Sequence, residues 1–248
     1  MDANFIFSEN NLITSRKAES LCFAHNFDEP FVIDVLNFMH FNNCNYKSTN
    51  EYEDRHQHVD IKYTDIDGTI HYTDVKTYTK GYSNREITTP TDIINIGEHA
   101  LHDAREYITF VYEHYIHFIH INEIKKIKPI AKINSKGQNN NLQILYGYSI
   151  NTIITQPSII STYIPTNLWE CWSYAYQYYM DTHIKIESIW KSKITEEEKI
   201  NNRKHEIYDI LVPNLRKIIT CVNNILATPL PQFYNIEPTI IEIHRLLA

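Results

Sequence analysis

A chain of 248 residues and 29.4 kDa holds one large domain or two small ones. At 43% hydrophobic and 21% charged it can bury a core, which excludes global disorder. Lys and Arg number 23 against 30 Asp and Glu, so the net charge is −7 and any nucleic-acid contact must come from a local basic surface or from metal ions.

Mean hydropathy is −0.39. No apolar run approaches the roughly 18 residues of a bilayer span, so no membrane partner is expected. The first twenty residues lack a basic segment followed by an apolar one, so no signal peptide is expected. Cys22, Cys44, Cys171 and Cys221 form no CxxC pair, which argues against a cysteine zinc site or a disulfide framework. Reduced thiols in a cytoplasmic compartment follow. Heavy use of Ile, Asn, Tyr and Lys is what AT-rich codons produce and points to a bacterial, phage or viral origin. The 5 glycines stand alone, so neither a dinucleotide fingerprint nor a Walker A loop is present.

In chain order, Ser15 to about His25 forms the first helical pattern, with Ser15 as N-cap and Ala18, Leu21, Cys22 and His25 on one face. Asp28-Glu29-Pro30 reads as a new helix start, followed by the apolar segment Phe31 to Phe41, which Asn42-Asn43 breaks. Residues 58 to 80 read as a β-hairpin. His58 to Tyr63 alternates, Asp65-Ile66-Asp67-Gly68 is turn chemistry, and Thr69 to Lys80 is β-branched and aromatic. Thr91-Asp92 then predicts a capped helix from about Ile93 to Tyr107. Ile108 to Ile121, apolar on both faces, predicts a buried central strand. A short helix is expected at Asn122 to Ile127, and further strands from 130 to 164 with a loop at Asn134 to Asn141. Helices are expected at about 167–182, 195–226 with an interruption at Pro213, and 238–247.

The hairpin carries Asp60 on its first strand and Asp74-Val75-Lys76 on its second. Side chains i and i+2 of a strand share a face, so Asp74 and Lys76 project together, and the fold-back brings Asp60 close to Asp74. Two carboxylates, a backbone carbonyl at Val75 and an ammonium then meet on one patch. Such an oxygen-rich set fits Mg²⁺ or Mn²⁺ and suits phosphodiester hydrolysis, with the lysine orienting water or offsetting transition-state charge. The bland alternative is a solvated ladder of cross-strand ion pairs, in which Lys62 could equally partner Asp74.

These residues resemble the PD-(D/E)XK nuclease superfamily, which includes many type II restriction endonucleases and resolvases. Asp60 and Asp74-Val75-Lys76 match its motif, with Asp where many members have Glu and Val59 where Pro is frequent. Asp74 to Thr79 is similar to the motif strand of some blunt-cutting restriction enzymes, and Ile121-Asn122-Glu123-Ile124 is weakly so. The resemblance covers roughly the first half of the chain. It implies an α/β, restriction-endonuclease-like αβββαβ core with a mixed central sheet, supplied by residues 15 to 121. It also implies a metal-dependent endonuclease acting on double-stranded DNA, with Asp60, Asp74 and Val75 on Mg²⁺ or Mn²⁺ and Lys76 catalytic. The family often adds an acid from its first helix. Glu19 looks like that position, with Glu29 and Asp34 as rivals.

The expected organisation is therefore a nuclease core at 1–165 and a helical region at 166–248 that packs on the core or mediates a homodimer. Two other functions stay open: a catalytically silent binding or assembly module, and an RNA-cleaving viral or effector endonuclease. His56-Gln57-His58 reads as edge or loop histidines. His114, His117 and His120, three apart on a strand, alternate faces and do not converge. His102-Asp103 resembles the centre of the HD phosphohydrolase pattern, but that fold is wholly helical, so the polar face of a surface helix is expected. Trp169, Trp172 and Tyr176 share a helical face suited to core or dimer packing, with base stacking as the rival use. Lys80, Arg85, Lys125, Lys126 and Lys128 are the basic residues expected to border the site. Thr195 with Glu196 to Glu198 reads as a capped helix start.

Overall fold

The structure, a computed structural model, describes residues 18–50, 53, 59–80, 91–101, 107–136 and 142–228. It is mixed α/β with a helical C-terminal region and divides into two compact units. The sheet unit is Val32–Pro165. The helical unit joins the chain up to Phe31 with the chain from Thr166 onward. The first helical residues thus group with the C-terminal helices and not with the sheet unit.

The first described segment stays helical from Ala18 to Phe38: α1 (Ala18–Phe23), a π-helical turn (Ala24–Asp28) and α2 (Glu29–Phe38). The expected break at Asp28 is absent. Pro30 cannot donate to the carbonyl four residues back, and the wider π turn just upstream absorbs that missing bond. The same device recurs at Pro213.

Then come β1 (Asn45–Ser48), β2 (Ile61–Thr64), β3 (Ile70–Val75), β4 (Thr79–Lys80) and β5 (Asp92–Gly97). After these follow β6 (Tyr107–Tyr112), β7 (Tyr115–His120), the short α3 (Ile121–Ile124), β8 (Ala131–Lys136), β9 (Leu142–Ser149), α4 (Ile150–Ile154) and β10 (Ile160–Tyr163). One sheet has the order β1-β2-β3-β6-β7-β10, with β3 and β6 parallel and its other neighbours antiparallel. A second, antiparallel sheet has the order β4-β5-β9-β8.

Three expectations are corrected here. The helix from Ile93 is instead β5, whose Ile93, Ile94 and Ile96 are fully buried between strand partners. The single strand Ile108 to Ile121 is two strands, folded back at Glu113, which takes a positive φ of 51°. Asn134 to Lys136 lie in β8 rather than in a loop. The core of this unit is the two-sided burial of β6 and β7, where Ile108, Phe110, Ile116 and Ile119 lose all solvent contact. Each such side chain contributes about 1.5–3 kcal/mol.

The helical unit adds α5 (Thr166–Lys191), α6 (Glu196–Lys204), a π-helical segment (His205–Leu211) and α7 (Val212–Leu226). Leu168, Cys171, Trp172, Ala175, Tyr176, Tyr179 and Ile186 recur at helical spacing on α5 and are buried. Trp172 stacks on Tyr176 at 5.0 Å between centroids, and Phe23 on Tyr179 at 4.8 Å. Core packing is thus what these aromatics do. Asp28, expected as an N-cap, is buried and accepts a bond from Trp172 Nε1 at 2.8 Å. Thr195 closes the expected capping box with Glu198. The expected helix at 238–247 and the cap Ser15 lie outside the described residues.

Candidate functional site

The β2–β3 turn is set by Asp65. Its Oδ1 accepts from the amides of Asp67 (3.0 Å) and Thr69 (2.8 Å), and its carbonyl accepts from Gly68 N at 3.1 Å. Gly68 takes a φ of +82°, which a side chain would resist. The His71 ring at 2.8 Å from Oδ2 holds the Asp65 carboxyl below the usual range. The turn fixes the register Ile61 opposite Thr73. One step further, Asp60 N donates to Thr73 O at 3.1 Å, which ties Asp60 to β3 beside the motif.

Thr49, just past β1, secures that step, its hydroxyl donating to Val59 O at 2.6 Å and its amide to Asp60 O at 3.1 Å. The Asp60 carboxylate then turns to the neighbouring strand, where Oδ2 accepts from Val75 N at 2.7 Å. On the other side of β3, Lys76 N donates to Thr109 O at 2.8 Å. The hydroxyls of Thr73 and Thr109 meet at 2.6 Å inside the sheet. β3 is therefore held on both sides up to the motif. Lys76 Nζ donates to Asp74 Oδ1 at 2.6 Å, as two side chains sharing a face can. Asp74 is 2% exposed and the Lys76 side chain 29%.

Asp60, Asp74 and Lys76 are thus gathered around Val75. Lys62 does not compete for Asp74. It pairs with Glu53 at 2.8 Å, which holds the Glu53 carboxyl down. Glu19 belongs to the helical unit, where it is 1% exposed and meets His183 Nδ1 at 2.8 Å. Glu29 meets His25 at 3.2 Å in that unit. Of the three acids considered for the first helix, Asp34 alone shares the sheet unit with Asp60 and Asp74, and burial pushes its carboxyl up.

His56, His58, Arg85, His102 and Asp103 lie outside the described residues. Lys80 ends β4, and Lys125, Lys126 and Lys128 are exposed. His117 and His120 face opposite sides of β7, as expected. His117 is buried against Ser161 Oγ at 2.8 Å, and burial lowers its pKa to about 4.

Sequence reading missed Thr49 and Thr109, which hold the motif from distant strands, and the bond from Tyr112 to Asp92 at 3.0 Å. All three depend on long-range pairing, and no local signal marks them. The donor set of two carboxylates with the Val75 carbonyl is all oxygen and fits a hard divalent cation. Among the described residues, no three His, Cys, Asp or Glu side chains gather as metal ligands. No described helix is long and apolar enough to cross a membrane. Compared with protein-family models, with curated proteins and with solved structures, the chain has no match.

Proposed function

We propose that the sheet unit is a metal-dependent phosphodiester hydrolase of the PD-(D/E)XK kind, acting as an endonuclease on double-stranded DNA. The observation that carries this reading is the grouping around Val75: the Asp60 carboxylate on its amide, and Lys76 Nζ on Asp74 Oδ1 at 2.6 Å. The strand order lends support. Three antiparallel strands, β1, β2 and β3, follow a helix, and β6 then joins parallel to β3. The departure is that the described residues between β3 and β6 hold β4, β5 and a three-residue 3₁₀ turn where the family pattern has a helix.

Asp60 and Asp74, with the Val75 carbonyl, would hold Mg²⁺ or Mn²⁺, which when bound lowers the pKa of water and polarises a phosphate. Asp74, nearly buried, keeps its carboxylate fixed between strands. Asp60 is oriented by the Val75 amide, so its geometry needs no rearrangement when substrate arrives. Lys76 has one end of its reach on Asp74 and is partly open to solvent, so its ammonium can orient a water or meet developing phosphate charge.

The test is cleavage of plasmid and oligonucleotide substrates with Mg²⁺ or Mn²⁺. Activity should disappear in EDTA, and Ca²⁺ should sustain binding without turnover. Cleavage that survives full chelation overturns the reading. A silent binding module is the alternative that the net charge of −7 favours, and it predicts no cleavage under any metal.

A further inference from the structure

Residues 121 to 132 hold four lysines and one acid in a chain of net charge −7. Their pattern decides where the charges go. Ile121, Ile124 and Ile127 are buried at spacings of three, which anchors one side of α3 and the turn after it. Lys125, Lys126 and Lys128 are thereby forced outward, and all three are exposed. Lys132, at the start of β8, is exposed as well and lies over the Tyr146 ring at 5.6 Å. Glu123 takes Lys126 at 2.7 Å, and no ion pair joins Lys125, Lys128 or Lys132 to a described residue.

Strand register relates this patch to the candidate site. Asp74 lies opposite Ile108 on β6, and Ile108 lies opposite Ile119 on β7. Two strand spacings make about 10 Å, or about three base-pair steps of B-DNA. β7 ends one residue later, at His120, and leads directly into α3 and the lysines. We infer that Lys125, Lys126, Lys128 and Lys132 form the surface on which the phosphate backbone of duplex DNA docks. The inference rests on the hydrolase reading for its choice of ligand. Charge complementarity supplies the attraction, since a polyanion repelled by the rest of an acidic chain is drawn to its local positive surface.

The experiment is a salt series of binding, read by fluorescence anisotropy in EDTA with a labelled mixed-sequence DNA duplex. The triple variant Lys125→Gln, Lys128→Gln, Lys132→Gln should flatten the slope of log affinity against log salt by roughly 2.7, at about 0.9 per phosphate contact. A control triple in the helical unit, Lys191→Gln, Lys193→Gln, Lys217→Gln, removes the same charge and should keep the wild-type slope. The inference is overturned if the first triple keeps the wild-type slope, if both triples flatten it equally, or if the wild type does not bind duplex at low salt. A separate cleavage assay keeps the two readings apart. A wild type that binds with these slopes but never cleaves removes the hydrolase and leaves the docking surface standing. A wild type that cleaves while the first triple binds unaltered removes the docking surface alone.

Discussion

Each unit of the protein buries one carboxylate against a basic group, and the two do so in opposite proportion. In the sheet unit Asp74 meets the ammonium of Lys76, and a second carboxylate, that of Asp60, sits on the Val75 amide between them in sequence. In the helical unit Glu19 alone faces two basic residues. His183 lies 2.8 Å away, and Arg203 is fully buried with its guanidinium 4.5 Å over the Trp190 ring. Burial holds the Arg203 pKa below its usual value, and Glu19 opposes that shift. A buried acid supplied with bases is a fold contact, because its charge is compensated by the chain itself. Acids that outnumber the base beside them suit a site that draws in a cation.

The sharpest way to break that comparison is to neutralise Asp74. Asp74→Asn keeps the size and should abolish cleavage and weaken metal binding, whereas Lys76→Ala should keep metal binding and lose about 10²–10⁴-fold in rate. Asp74→Asn should leave the melting temperature near that of the wild type, whereas Lys76→Ala strips the nearly buried Asp74 of its ammonium and should lower it. If both variants cut like the wild type, Asp60, Asp74 and Lys76 are only a ladder of ion pairs.

The mirror experiment is in the helical unit. Glu19→Ala removes the buried acceptor of His183 Nδ1 and should cost about 1.5–3 kcal/mol, the scale for a hydrogen bond to a charged group. The 3 tryptophans, Trp169, Trp172 and Trp190, all lie in this unit, so their emission reports its unfolding. A Glu19→Ala protein that unfolds normally but fails to cleave would reverse the comparison and give Glu19 the catalytic role its helix position resembles.

Two histidines make the contrast titratable. Burial holds His117 of the sheet unit down to about 4. Below about pH 6.5 the unfolded chain takes up this proton and the folded one does not. Stability should therefore fall between about pH 6.5 and 4, by at most about 1.4 kcal/mol per pH unit. His183 of the helical unit is raised, first by its hydrogen bond to Glu19. Its contribution is fully present below about pH 6.5 and is lost as pH rises through its folded pKa. Solvent reaches a third of its side chain, so this effect is the smaller. Urea unfolding at several pH values, followed by tryptophan emission and by far-UV circular dichroism, should show the two trends with opposite sign. His117→Gln should flatten the acid limb alone.

What was legible in the sequence had local causes. The β2–β3 hairpin follows from alternation around Asp65 to Gly68, and its fold-back brings Asp60 alongside the strand that carries Asp74. The α5 aromatics follow from helical spacing. What was not legible depends on partners far along the chain. Thr91-Asp92 has cap chemistry, but Ile93, Ile94 and Ile96 are β-branched, and pairing with β4 and β9 makes them a strand. The turn at Glu113 has no Gly, Pro or Asn to announce it, so β6 and β7 read as one strand. Gly147 offers a further case. A Cβ there would come to 3.0 Å from Ile93 and 3.1 Å from Ala131, pressing on both neighbouring strands, and nothing beside it in the sequence says so.

The smallest effect tests whether surface acids of the helical unit also serve the fold. Glu198 is spent on a cap. Its carboxylate accepts from Thr195 N at 2.9 Å while Thr195 Oγ1 accepts from Glu198 N at 3.2 Å. The Thr195 amide and hydroxyl, both donating to it, hold the Glu198 carboxyl below its usual range, so the contribution is present above about pH 4.5 and fades as pH falls through the lowered value. Thr195→Ala frees the Glu198 amide at the start of α6 and should cost about 1 kcal/mol. Thr195→Ser keeps the acceptor and should cost much less. Both effects should appear in tryptophan emission on unfolding and leave the cleavage rate unmoved. A Thr195→Ala variant as stable as the wild type would mean that α6 is held by its packing alone, and the capping box would then be a surface feature without energetic weight.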